Sequence, residues 1–103
     1  MGDRGNIIVV DGKSKVYLYT HWNGSELPGI IQAALKRSRE RWDDGQYLAR
    51  ILFCEMIRGD INGLTGYGIS SRIGDSGTDI EVNLEDQAVD GVKFEDYIKI
   101  GGD

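Results

Sequence analysis

His21 is the single histidine of the chain, and histidine is the side chain best suited to move a proton near neutral pH. It sits near the end of the run Val16-Tyr17-Leu18-Tyr19-Thr20-His21-Trp22. At strand spacing it shares a face with Tyr17 and Tyr19, and Val16, Leu18, Thr20 and Trp22 share the other. An aromatic wall beside a histidine suits a small-molecule pocket. The plainer reading is a histidine that fills the sheet face and bonds a backbone carbonyl. Asp43 and Asp44 form a carboxylate pair that suits acid–base work, but adjacent residues at a helix start point in different directions, and capping explains them more simply. Cys54 lies at helical spacing from Arg50 and Arg58. Cations lower a thiol pKa, yet a nucleophilic cysteine needs a base, and His21 is the one imidazole on offer. A structural cysteine is the expectation.

Other motifs carry less. Asp60-Ile61-Asn62-Gly63 opens like a calcium loop but lacks the later acidic ligand. There is no His-x-x-x-His or Cys-x-x-Cys pair, so no metal site is expected. Gly63-Leu64-Thr65-Gly66-Tyr67-Gly68 leads from a helix into a strand, the wrong order for a phosphate cradle. Its glycines are expected to serve a tight turn or a close backbone approach. No cofactor and no catalytic residue is assigned.

These side chains must be held by elements that the sequence marks out. Asn6–Val10 reads as a short apolar strand, and Asp11-Gly12 as a hairpin turn leading to a return strand from Lys15 to Trp22. Ser25 is a candidate N-cap, with Pro28 in the first turn. A first helix is expected from about Glu26 to Trp42, with Leu27, Ile30, Ile31, Ala34, Leu35, Ser38 and Trp42 on one face. Lys36, Arg37, Arg39 and Arg41 near its end suit the helix dipole better than a phosphate patch. Asp43-Asp44-Gly45 breaks the pattern. A central core helix follows over Gln46–Arg58, carrying Leu48, Ala49, Leu52, Phe53, Met56 and Ile57, with Gly59 as its C-cap. Strands are then expected over Gly66–Ile73, Thr78–Leu84 and Ala88–Phe94, the last interrupted at Asp90-Gly91. Turns lie at Gly74–Gly77 and Glu85–Gln87. Phe94–Ile98 fits either a helical turn or a strand.

The expected fold is therefore α+β: two N-terminal strands, two helices, then a three-stranded segment, with a mainly antiparallel sheet packed against a helical pair. At 103 residues the chain is one domain, with residues 1–5 and 99–103 expected to be disordered ends. No run approaches a membrane span, no secretory signal is read, and one cysteine leaves no internal disulfide. The expected location is the cytoplasm.

The net charge of −5 is uneven. Residues 1–73 hold ten basic and eight acidic groups, and residues 74–103 hold two and nine. Acidity on this scale keeps a surface soluble or steers it toward a basic partner. It makes direct nucleic-acid binding unexpected, because that affinity rests on neutralising phosphates.

Tyr19-Thr20-His21-Trp22, Arg41-Trp42-Asp43-Asp44, Tyr47-Leu48-Ala49-Arg50-Ile51 and Gly66-Tyr67-Gly68-Ile69-Ser70 together resemble a family of small uncharacterised bacterial and prophage proteins, from about Gly5 to Tyr97. The resemblance implies a compact intracellular protein from a mobile element. It carries no chemistry, catalytic residue or cofactor. The expected function is non-enzymatic binding, as a phage- or prophage-encoded modulator of a host protein. The site joins His21, Trp22, Trp42, Asp43, Asp44 and Arg50, with Tyr67 and Tyr19 nearby. The rival is a small-molecule protein in which His21, Tyr17 and Tyr19 line a pocket and Arg50 or Arg41 meets an anion. A self-associating structural protein, a homo-oligomer joined through an exposed strand edge or a tryptophan patch, is the third expectation.

Overall fold

A computed structural model describes residues 3–75 and 77–100. The fold is α+β. β1 (Gly5–Asp11) and β2 (Ser14–Thr20) form a hairpin, followed by α1 (Leu27–Arg37) and α2 (Gly45–Met56). β3 (Tyr67–Ser70), β4 (Thr78–Asn83), β5 (Ala88–Val89), β6 (Val92–Lys93) and the short α3 (Phe94–Tyr97) complete the chain. The six strands lie in the order β3-β2-β1-β4-β5-β6. Every pairing is antiparallel except β1 with β4.

One face of the sheet carries Ile7, Val9, Leu18, Ile80, Val82 and Val89, which pack with Leu27, Ile31, Leu35, Leu48, Leu52 and Met56 of the two helices. The register places Tyr17, Ile8 and Glu81 in one row of the other face, and Tyr19, Asn6 and Asp79 in the next. The described helices all contribute side chains to the core on the first face. The β3–β4 crossover lies on the other face at one end, held by the fully buried Asn6. Its amide nitrogen donates to Asp79 Oδ1 (2.9 Å) and to the carbonyl of Asp75 (3.2 Å), while its oxygen accepts from Gly74 N–H (3.1 Å). Ser76, in the turn expected at Gly74–Gly77, lies outside the described residues.

Several elements depart from expectation for local reasons. The β1–β2 loop is Gly12-Lys13, one residue later than Asp11-Gly12, with Gly12 at φ 64° as a type II′ loop requires. β2 stops at Thr20, two residues short of Trp22. Its hydroxyl accepts the N–H groups of Trp22 (3.3 Å) and Asn23 (3.0 Å) and turns the chain.

α1 ends at Arg37 rather than Trp42, with Arg39–Arg41 continuing as a 3-10 turn. Ser38 Oγ donates back to the carbonyl of Ala34 (2.6 Å), and the Trp42 indole N–H takes the Leu35 carbonyl (3.0 Å) that a continuing helix would give to Arg39. The seven residues expected on one face nonetheless all turn inward.

Neither helix is capped as the sequence suggests. Ser25 lies in a 3-10 turn and engages the Asp3 carboxylate, which its N–H and hydroxyl hold below the usual carboxylate range. Asp44 occupies the N-cap position of α2 without a side-chain cap bond. Asp43 instead accepts from Gln87 Nε2 (2.6 Å), and Ile57 rather than Gly59 closes the helix.

The segment read as one strand over Ala88–Phe94 is a hairpin, so the last part of the chain has four strands, not three. Asp90 (φ 47°) and Gly91 (φ 86°) form its type I′ turn. Phe94–Tyr97 resolves as helix. Asp3 to Gly5 and Lys99 to Ile100, expected to be loose, are tied in. Asp3 N–H donates to the His21 carbonyl, and Gln32 Nε2 donates to the Ile100 carbonyl. Residues 1–2 and 101–103 lie outside the described residues.

Candidate functional site

The expected site residues fall at two opposite ends of the sheet. Gly5, at the start of β1, pairs with Thr20, so His21 and Trp22 lie at that end. Asp11, at the other end, has its carboxylate beside Gly45. Asp43, Asp44 and Trp42 therefore lie about 20 Å away, the rise of a seven-residue strand. The joint site of both tryptophans does not assemble.

At the first end, Tyr19, His21, Trp22 and Tyr67 do meet. The Tyr19 hydroxyl and His21 Nδ1 are 2.9 Å apart. Arg4 Nε, which can only donate, also points at Nδ1 from 3.4 Å. Both contacts converge on Nδ1 and hold the imidazole in place.

His21 packs edge-on against Trp22 (centroids 6.1 Å), and Trp22 against Tyr67 (5.9 Å). The Tyr67 hydroxyl accepts from Asn23 Nδ2 (2.6 Å), and His21 N–H donates to the Gly66 carbonyl (2.8 Å). Backbone and side chain thereby lock the group together. Trp22 remains 47% exposed. The segment that leads into Gly66 and Tyr67, and the strand that follows, carry exposed apolar side chains that sequence reasoning passed over: Ile61, Leu64 (99% exposed) and Ile69 (59%). Their signal was present as an uncharged run from Ile61 to Ser71.

The second end is structural. Trp42 is buried, meets Phe94 edge-on (centroids 5.2 Å) and lies beneath the Arg39 guanidinium. Arg39 pairs with Glu95, Arg37 with Glu55 (3.2 Å), and Arg41 stacks over Tyr47. Arg37, Arg39 and Arg41 are thus each engaged by a side chain of the protein itself. Arg50 is exposed on α2, 3.9 Å from Cys54 Sγ, and Arg58 turns to Glu55 (2.8 Å).

Two grooves are described. One, of about 200 Å³, is lined by Val9, Asp11, Lys15, Val16, Gly45 and Ala49. The other, of about 440 Å³, lies over the start of α1 between Ser25, Gly29, Ile30 and Glu55. Neither is lined by His21, Tyr17 or Tyr19. Tyr17 and Tyr19 lie on the second face of the sheet, whereas Arg41 and Arg50 belong to the helical layer on the first. Among the described residues no group of three or more His, Cys, Asp or Glu side chains is arranged to hold a metal ion. No described helix is long and apolar enough to cross a membrane.

No protein-family model, curated protein or solved structure matches this chain.

Proposed function

We propose that this protein is a non-enzymatic binding module whose contact surface is the Trp22–Tyr67 end of the sheet, flanked by His21, Ile61, Leu64 and Ile69. One observation carries this reading: Trp22 stays half exposed although its geometry is fixed against Tyr67 and Gly66, and the adjoining loop and strand carry exposed Leu64 and Ile69. Aromatic anchors that need no ordering on binding are the common centre of protein interfaces, and exposed apolar patches mark such sites. Asn23, Tyr19 and His21 supply polar groups for the rim. The partner in this reading is another protein, a host factor if the chain is a phage or prophage modulator, and the acidic last third steers toward a basic one.

The small-molecule reading gains less support, because Tyr17 and Tyr19 lie on one face of the sheet and the arginines it needs, Arg41 and Arg50, belong to the helical layer on the other. The test is affinity capture from host lysate with wild-type protein, Trp22→Ala, Leu64→Ser and Arg50→Ala. A protein retained by wild type and Arg50→Ala but lost with the first two variants supports the surface. Retention by folded Trp22→Ala and Leu64→Ser refutes it.

A further inference from the structure

We propose that the β3 edge pairs with the β3 edge of a second copy of this chain, antiparallel about a twofold axis at Gly68, joining two sheets into one. This goes beyond the partner surface above: it shares Tyr67 and Ile69 with that surface but is carried by the strand's backbone edge rather than by Trp22.

The two edges of the sheet are built differently. β6 is two residues long, carries Lys93 and runs directly into α3. Lys93 Nζ also donates to the Asp86 carbonyl (3.0 Å). Shortness and an edge lysine are devices that discourage a further strand. β3 has neither. It pairs without a bulge from Thr20↔Tyr67 to Tyr17↔Ser70, and its other side meets no strand among the described residues. No charged residue and no proline falls between Asp60 and Arg72. Ile69 on the strand, with Leu64 and Ile73 on either side, is exposed.

Charge and symmetry point to a second copy as the occupant. Each chain carries −5, but the acidity belongs to residues 74–103, which form β4, β5, β6 and α3. The strand order puts β2 and β1 between those elements and β3. Joining at β3 brings neutral segments together and leaves the acidic parts at the outer ends.

A twofold axis perpendicular to the sheet keeps both helical layers on one side. It also requires one residue to face its own counterpart, because facing residues in an antiparallel pair share a sheet face. Centred on Gly68, the pairing sets Tyr67 opposite the second copy's Ile69 on the helix-bearing face, and this aromatic–β-branched pair forms twice. Centred on Ile69, Gly68 faces Ser70 and that pair is lost. The joined sheet also carries two Trp22 surfaces, so a repetitive partner would be held by both.

Cysteine crosslinking reads the register. In a Cys54→Ser background, Gly68→Cys adds a Cβ whose nearest described neighbour is Tyr19 Cβ at 4.0 Å, an ordinary contact. Directly opposed Cα atoms are about 4.5–5.5 Å apart, within disulfide reach. Two Ser70 residues would be about 14 Å apart, beyond it. Under mild oxidation Gly68→Cys is expected to give a linked dimer while Ser70→Cys stays single. By light scattering the wild-type mass should rise toward twice that of one chain with concentration. Ile69→Lys should weaken that association about tenfold or more with an unchanged circular dichroism spectrum, and Trp22→Ala should leave it intact. A single-chain mass up to about 1 mM, the weakest range of specific association, overturns the proposal. So does linkage at Ser70→Cys as fast as at Gly68→Cys.

Discussion

The ring of Trp22 occupies the space that a side chain at Gly66 would need: a Cβ built there would lie 2.1 Å from the indole. Gly66 also has φ 97°, a region that L side chains rarely adopt. Glycine thus does two things at this point, letting the chain turn into β3 and giving the indole a flat backbone to lie on. Gly66→Ala should cost about 1–3 kcal/mol from backbone strain alone and push Trp22 off Tyr67. Denaturant unfolding followed by tryptophan fluorescence checks both, and an unchanged midpoint and spectrum would show that the contact is dispensable.

Trp42 should behave in the opposite way to Trp22. It is a core residue whose indole N–H satisfies the Leu35 carbonyl. Trp42→Ala should destabilise by about 3–5 kcal/mol, as large-to-small aromatic changes in cores do, a large share of a small domain's stability. Trp42→Phe keeps most of the packing, and the Leu35 carbonyl keeps its bond from Ser38 N–H (3.3 Å), so this variant should lose only about 0.5–1.5 kcal/mol with the indole hydrogen bond. Trp22→Ala, at an exposed site, should cost under about 1 kcal/mol. Thermal melts of the three variants rank them, and equal losses at the two tryptophans would contradict this division of roles.

Asn6 holds the crossover through bonds on both sides of its amide. Asn6→Ala strands Asp79 and the Gly74 and Asp75 backbone groups, and should cost about 2–3 kcal/mol. Hydrogen exchange should rise first around residues 71–79, whereas uniform loss of protection would mean that Asn6 supports the whole sheet equally.

Burial, with the negative charge of Asp90 as a lesser cause, raises the Tyr97 phenol above its ordinary value of 10.0. A group whose folded pKa is raised binds its proton more tightly in the native state. Its contribution is fully present below about pH 10 and is lost as pH rises through the folded value. Wild type and Tyr97→Phe should therefore keep a constant stability difference up to about pH 10. Above it, wild type should lose stability faster. Parallel curves throughout the alkaline range would contradict the shift.

Much of this fold could be read from local pattern. The β1–β2 hairpin, the inward stripe of α1 and the apolar face of α2 follow from periodicity, which depends on neighbours three to four residues away. What could not be read depends on distant partners. The early end of α1 rests on Trp42 reaching back to Leu35, and Asp43 forgoes capping for Gln87. The parallel β1–β4 pairing, which puts an antiparallel hairpin on either side of a parallel join, has no local signature.

The candidate site was half legible. The aromatic run showed Tyr19, His21 and Trp22 close in sequence, and Tyr67 joins them through a β2–β3 register that no spacing reveals. The two tryptophans looked alike as junction residues, yet one is exposed beside Gly66 and the other is buried on Phe94. Residue type alone does not separate those fates.

The central claim is that the Trp22 end, and not the Trp42 end, meets the partner, and the two indole N–H resonances of the 15N-labelled protein test it most directly. With the captured partner added, the account predicts that the Trp22 indole signal and the amides of residues 19–23 and 61–70 shift. The hydrogen-bonded Trp42 indole and the amides of Asp43, Asp44 and Arg50 should stay in place. Shifts centred on Asp43, Asp44 and Arg50, with the Trp22 indole unmoved, would contradict it.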